Sequence, residues 1–150
     1  MADLKDRLRT DLTSAMKARD ELRTATLRMV LAAVSAEEVA GKEARELSDD
    51  EVQAVLRREA KKRREAADAF ADGGRGPQAD RERAEGEVVA EYLPAQLDDA
   101  DLAAIVADVI TRTGAAGMKD MGKVMGAATG IVAGRADGGR VAAEVRRQLG

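Results

Sequence analysis

The sequence predicts an all-α protein, an N-terminal bundle of long helices followed by a small C-terminal three-helix domain. Apolar residues recur at three- and four-residue steps along most of the chain. Capping signals and glycine or proline terminators divide those stretches into helix-sized pieces. No alternating apolar and polar run marks a strand, and no internal repeat is found.

Leu4, Leu8, Leu12, Ala15 and Met16 form the stripe of a first helix. Leu27, Val30, Leu31 and Val34 form that of a second, with a break near Asp20, so the two should pair as a hairpin. Ser48 and Glu51 make a capping box and Leu47 with Val52 its hydrophobic staple, which starts a third helix at Ser48 and carries it to about Ala71. The glycine-rich stretch from Asp72 to Gly76 ends it. Pro77 suits the first turn of a fourth helix, whose apolar end is Val88, Val89, Tyr92 and Leu93 and whose stop is Pro94.

Asp98 and Asp101, flanked by Leu97 and Leu102, repeat the cap-and-staple pattern with aspartate in both capping roles. The fifth helix then carries Leu102, Ile105, Val106 and Val109 and closes at Gly114 and Gly117. A sixth is predicted from about Met118 to Ala133, with a turn from Gly134 to Gly139. The last helix carries Val141, Val145 and Leu149, with Arg140, Arg146 and Arg147 on its other faces. The expected domains are 1–93 and 98–150, joined by a hinge at 94–97 around Pro94.

Composition narrows the function. The chain has 150 residues, 45% of them hydrophobic, enough apolar surface for an independent fold. Phe70 and Tyr92 are its only aromatics, so the ring platforms on which single-stranded nucleic acids usually stack are not available. Without cysteine or histidine there is no disulfide, no thiolate nucleophile, no imidazole base and no ordinary zinc or haem site, and neither a cofactor nor a metal is expected. Ser14 and Ser35 are mid-helix and Ser48 is a cap, so no complete catalytic centre can be assembled. Lys123 follows Gly122, but the phosphate-loop spacing and the preceding strand are missing. No apolar run approaches the roughly 18 residues that cross a bilayer. The start of the chain, with Asp3, Lys5, Asp6 and Arg7, lacks the apolar core of a signal peptide, so a cytoplasmic protein without a membrane partner is expected.

The net charge of −3 argues against a generic polyanion binder, and DNA is not an expected partner. Charge is unevenly distributed, however: residues 111–150 carry seven Lys/Arg against three Asp/Glu, a basic island in an acidic chain. Within it Gly122, Gly126, Gly130 and Gly134 recur every four residues. Each glycine inside a helix costs about 1 kcal/mol relative to Ala. On a helical wheel Met121, Val124, Met125, Ala128, Ile131 and Val132 gather on one side. Gly122, Gly126 and Gly130 fall on the other, with Lys119, Lys123 and Ala133. A stripped, cationic face opposite the core would let a nucleic-acid phosphate chain approach the backbone. The same ridge could instead receive another helix, from this chain or from a partner.

Arg57, Arg58, Lys61 and Lys62 place like charges one turn apart, each such pair costing a few tenths of a kcal/mol. They form either a solvated face offset by Glu59 and Glu65 or a second phosphate contact. The acidic groups Asp98, Asp99, Asp101 and Asp49, Asp50, Glu51 sit where helix starts favour negative charge, which explains them without a cation.

Four segments in order resemble the YqeY proteins over essentially the whole chain. They are Thr26-Leu27-Arg28-Met29-Val30-Leu31-Ala32-Ala33, Glu91-Tyr92-Leu93-Pro94-Ala95-Gln96-Leu97, Asp120-Met121-Gly122-Lys123-Val124-Met125-Gly126 and Gly134-Arg135-Ala136-Asp137-Gly138. The C-terminal part also resembles the tail of GatB, the B subunit of the glutamine-dependent amidotransferase that acts on misacylated tRNA. The resemblance implies a two-domain helical fold and a module that contacts tRNA away from any catalytic centre. The residues it carries over are Lys123 with Gly122 and Gly126, and Arg135, Asp137 and Gly138, although Asp137 could equally cap the last helix. The amidotransferase's catalytic cradle is absent, so a carbon–nitrogen ligase role would require catalytic subunits in complex. The expected RNA contacts are therefore Lys119, Gly122, Lys123, Gly126, Gly130, Arg135, Asp137, Gly138 and Arg140, with Arg57, Arg58, Lys61 and Lys62 as a secondary patch. Expected partners are tRNA and amidotransferase or aminoacyl-tRNA synthetase proteins, and the rival reading is a helical protein-interaction adaptor.

Overall fold

The structure, a computed structural model, describes residues 3–150. These form seven α-helices and one 3-10 turn, with no strand among the described residues. The chain divides into two compact units, one ending at Leu93 and the other beginning at Pro94.

The first unit contains α1 (Asp3–Lys17), α2 (Glu21–Glu38), α3 (Asp49–Asp72) and α4 (Gly76–Ala90). Between α1 and α2 the chain reverses through Arg19, whose backbone is left-handed at φ +56. Asp20 N–H donates back to the Ala15 carbonyl at 3.0 Å, and the Asp20 carboxylate caps α2 by accepting from Arg23 N at 3.1 Å. The capping box forms as its sequence requires: Ser48 Oγ accepts from Glu51 N, and Glu51 accepts from Ser48 N. Leu47 and Val52, the staple, are both buried. Burying an aliphatic side chain of this size stabilises by roughly 1.5–3 kcal/mol. One core therefore gathers Leu8 from α1, Leu27, Val30 and Val34 from α2, Val55 and Leu56 from α3, Val88 and Val89 from the end of α4, and Tyr92 just after it.

Two expectations shift here. Met16, placed on the first stripe by its spacing, is 48% exposed in the last turn of α1, where Ala15 is the buried residue. Tyr92 and Leu93 lie beyond α4, in the turn that precedes Pro94, although both still face the core. The Tyr92 hydroxyl donates to the Asp11 carboxylate, and the Arg7 guanidinium lies 4.6 Å from the ring centroid. Next to it, Glu91 holds Arg23 through two contacts of 2.7 and 2.9 Å.

Charged groups also enter this unit. Lys5 Nζ lies 2.7 and 2.9 Å from the two Glu38 oxygens. That ammonium, with the Leu47 N–H, keeps the Glu38 carboxyl below the usual carboxylate range. Arg63 sits among Glu59, Glu82 and Glu85 at 3.3–3.6 Å, tying α3 to α4.

The second unit contains α5 (Asp99–Thr113), α6 (Met121–Val132) and α7 (Gly138–Leu149). Asp98 caps α5 by accepting from Asp101 N at 2.7 Å, but only this half of the expected reciprocal pair forms. Gly114 ends α5 in the left-handed conformation, φ +67, which glycine adopts without a Cβ clash. The sixth helix is shorter than expected. Residues 118–120 form a 3-10 turn, and α6 proper begins at Met121. Asp137 starts α7 at Gly138 rather than after Gly139, because its carboxylate accepts from Arg140 N at 2.9 Å. The core comprises Leu97, Leu102, Val106, Val109, Val124, Ala128, Val132, Ala136, Val141 and Val145. Ile131, expected in the stripe, is 48% exposed at its margin.

Candidate nucleic-acid interface

α6 is a short amphipathic helix whose buried line is Val124, Ala128 and Val132 at four-residue steps, with Met121 and Met125 half-buried beside it. The opposite side is Gly122, Gly126 and Gly130, all exposed. A methyl group added at any of the three would meet no atom within 4 Å outside the helix's own backbone. Packing within the second unit therefore does not require these glycines. Their cost is graded, since Gly122 is the second residue of α6 and Gly130 is near its end, which leaves Gly126 as the one fully interior position.

The cations are less free than the helical wheel implies. Lys119 is exposed and makes no ion pair or hydrogen bond among the described residues. Lys123 is exposed as well, yet its Nζ donates to the Thr113 carbonyl at 3.1 Å, placing its charge at the C-terminal end of α5. Arg135 uses Nε to reach the Ala95 carbonyl at 3.4 Å, while its own carbonyl accepts from Leu97 N at 2.8 Å. Arg140 donates to the Leu97 carbonyl at 2.9 Å and to Asp99 at 3.1 Å. Asp137 is the cap of α7, and Gly138, exposed, has open space beside it.

The Gly134–Arg140 turn and the 95–99 segment are thus joined by a ladder of polar contacts, and Arg135, Asp137 and Arg140 have structural employment there. Residues 95–97, part of the expected hinge, are fixed into the second unit by this ladder. Elsewhere in the basic island, Arg112 pairs with Asp108 at 2.9 Å, and Arg147 pairs with Glu144 at 2.8 Å. Arg147, with the Gln148 amide, lowers the Glu144 carboxyl to about 2. Beside α6, Lys119 makes no contact among the described residues, while Lys123 and, at the far end, Arg135 each give one donor to a backbone carbonyl and have no carboxylate partner among the described residues.

The secondary patch resolves into local pairs. Arg58 meets Glu37 at 3.3 Å, Lys61 meets Glu65 at 3.9 Å and Lys62 meets Glu59 at 4.0 Å, while Arg57 is half-buried without a partner among the described residues. Carboxylates offset most of its charge, and the patch belongs to the first unit. Among the described residues no group of three or more acidic side chains is placed to hold a metal ion. No described helix is long and apolar enough to cross a membrane.

These features define an all-helical protein with one bared helix face in its second unit. The family profile of the Yqey-like proteins matches residues 5–149, and the chain belongs to that family. No curated protein matches it.

Proposed function

We propose that the chain is a non-catalytic accessory module of two helical domains that docks tRNA on the open face of α6. The carrying observation is the empty space over Gly122, Gly126 and Gly130. A phosphate chain can approach a backbone cylinder that lacks side chains, and Lys119 and Lys123 supply positive charge beside it. The resemblance of this region to the GatB tail supports association with glutamine-dependent tRNA amidation, in company with amidotransferase or synthetase proteins. Any carbon–nitrogen ligase role then belongs to the complex.

The available cations set a quantitative expectation. Two or three phosphate contacts give a slope of log affinity against log salt of about −2 to −3. Filter binding of total tRNA at two salt concentrations measures it, and Gly126→Leu should abolish binding without lowering the melting temperature. A flat salt response would refute the RNA reading.

A second reading is favoured by the employment of Lys123 and Arg140 in intramolecular contacts. Small residues at four-residue spacing also admit a helix at close range. In that reading the α6 face receives a partner protein's helix, and capture from lysate survives nuclease treatment.

A further inference from the structure

The turn between α1 and α2 holds a depression of about 430 Å3 at the surface of the first unit, walled by Met16 and Ala25 and flanked by Arg19 and Arg28. Its charge balance is unusual for this unit. The two acids that line it are already matched: Asp20 caps α2 and lies 3.9 Å from Arg23, and Glu21 is held by Arg81 at 2.7 and 2.9 Å. Most arginines of the unit pair with carboxylates in the same way. Arg19, Arg28, Arg57 and Arg75 pair with none among the described residues, and two of these four border this single depression. Arg28 lies two turns into α2, and helical side chains lean toward the helix N-terminus, which brings its guanidinium back over the depression.

Arg19 adds a second, independent observation. It occupies a left-handed backbone position, φ +56, where glycine is the low-energy residue and a side chain costs of order 1 kcal/mol. Backbone bonds from Arg19 N to the Met16 carbonyl at 3.2 Å and from Asp20 N to the Ala15 carbonyl at 3.0 Å hold the turn, but they do not involve the guanidinium, which has no partner among the described residues. The volume falls within the roughly 300–1,000 Å3 range of small-molecule sites. Paired guanidinium forks match the oxygens of a phosphate group better than any other side chains do.

We infer that this depression binds the phosphate group of a small phosphomonoester, with Arg19 and Arg28 sharing its oxygens and the Met16 and Ala25 wall meeting the ligand's less polar remainder. The site is separate from the α6 face and does not depend on it.

Titration calorimetry of the full chain tests this, with adenosine monophosphate and inorganic phosphate as probes and sodium chloride at matched ionic strength as the blank. Both probes should bind, the nucleotide more tightly, and Arg28→Gln should weaken each by about tenfold or more. Arg19→Gly should weaken them similarly while raising the melting temperature of the free protein, because it releases backbone strain as it removes the ligand contact. Both positions are exposed and unpaired, so neither variant should unfold the chain. Absence of binding by either probe, or binding that both variants retain, overturns the site. Equal affinity for the two probes overturns the role of the Met16 wall. An Arg19→Gly variant that melts lower than the parent overturns the strain argument.

Discussion

Replacing Gly126 by alanine separates a glycine required for close packing from one that leaves a face bare. Gly126 is the sixth residue of the 12-residue α6, inside its regular hydrogen bonding, and an added methyl would meet nothing within 4 Å. The substitution therefore gains the full helix-propensity difference, about 1 kcal/mol, with no steric loss to set against it. For a unit of the size of residues 94–150, that gain corresponds to a rise in melting temperature of roughly 4–8 °C. Calorimetry of the full chain reads the transition directly. The same variant should bind tRNA more weakly, because a methyl stands where the docked backbone or phosphate would lie. Gly122→Ala, at the second position of α6, should stabilise less than Gly126→Ala. A fall in melting temperature for Gly126→Ala would show that the face is filled in solution, and the premise of an open docking surface would be lost.

Leu56 is fully buried in the first core, and Leu56→Ala should destabilise by about 2–5 kcal/mol in urea unfolding, because the surrounding helices cannot close the cavity. Arg45 first, and then the Ser48 N–H, hold the Glu51 carboxyl down at about 2. Its contribution to stability is therefore present above the unfolded carboxyl value and lost as pH falls from about 4.3 toward 2. Glu51→Gln should flatten that part of the stability profile, and an unchanged acid limb would exclude the capping box as its source. Tyr92, the sole tyrosine, is pushed up to about 12 by burial and by its hydrogen bond to Asp11. Phenolate absorbance should titrate there in the folded protein and near 10 in urea, with stability lost as pH rises through that interval.

Local signals carried most of the fold into the sequence. Ser48 with Glu51, and Asp98, cap helices by contacts that span three residues, so spacing exposes them, whereas Asp20 reads in the sequence only as a break and Asp137 as either a cap or a ligand contact. The position of the α6 glycines opposite Val124, Ala128 and Val132 is likewise a property of one helix and its period. The misjudged residues sit at margins. Met16 and Ile131 lie near the ends of their helices and are each 48% exposed, and a single-helix period carries no information about which positions a neighbouring helix covers. Charge pairing was the least legible layer. Lys5 finds Glu38 across 33 residues, Arg140 finds Asp99 across 41 and Arg23 finds Glu91 across 68. Such separations are set by how helices pack, so a cation that looked available for RNA could not be distinguished from one committed to a carbonyl.

The four family-like segments differ in how much of each the fold uses. In the first, Leu27 and Val30 are core, and Thr26 Oγ donates to the Leu22 carbonyl at 2.8 Å. In the second, Glu91 and Tyr92 secure the end of α4 in the first unit, and Leu97 enters the core of the second. In the fourth, Ala136 is buried, Asp137 caps α7 and Arg135 contacts the 95–97 stretch. Stability alone is reason enough for those residue types at those positions. It is not reason enough for Gly122 and Gly126, where alanine would fit the space and favour the helix, nor for Arg28, which has no partner among the described residues. The functional proposals therefore rest on the parts of the motifs that folding does not explain: a helix face left bare in the second unit and an unpaired guanidinium in the first.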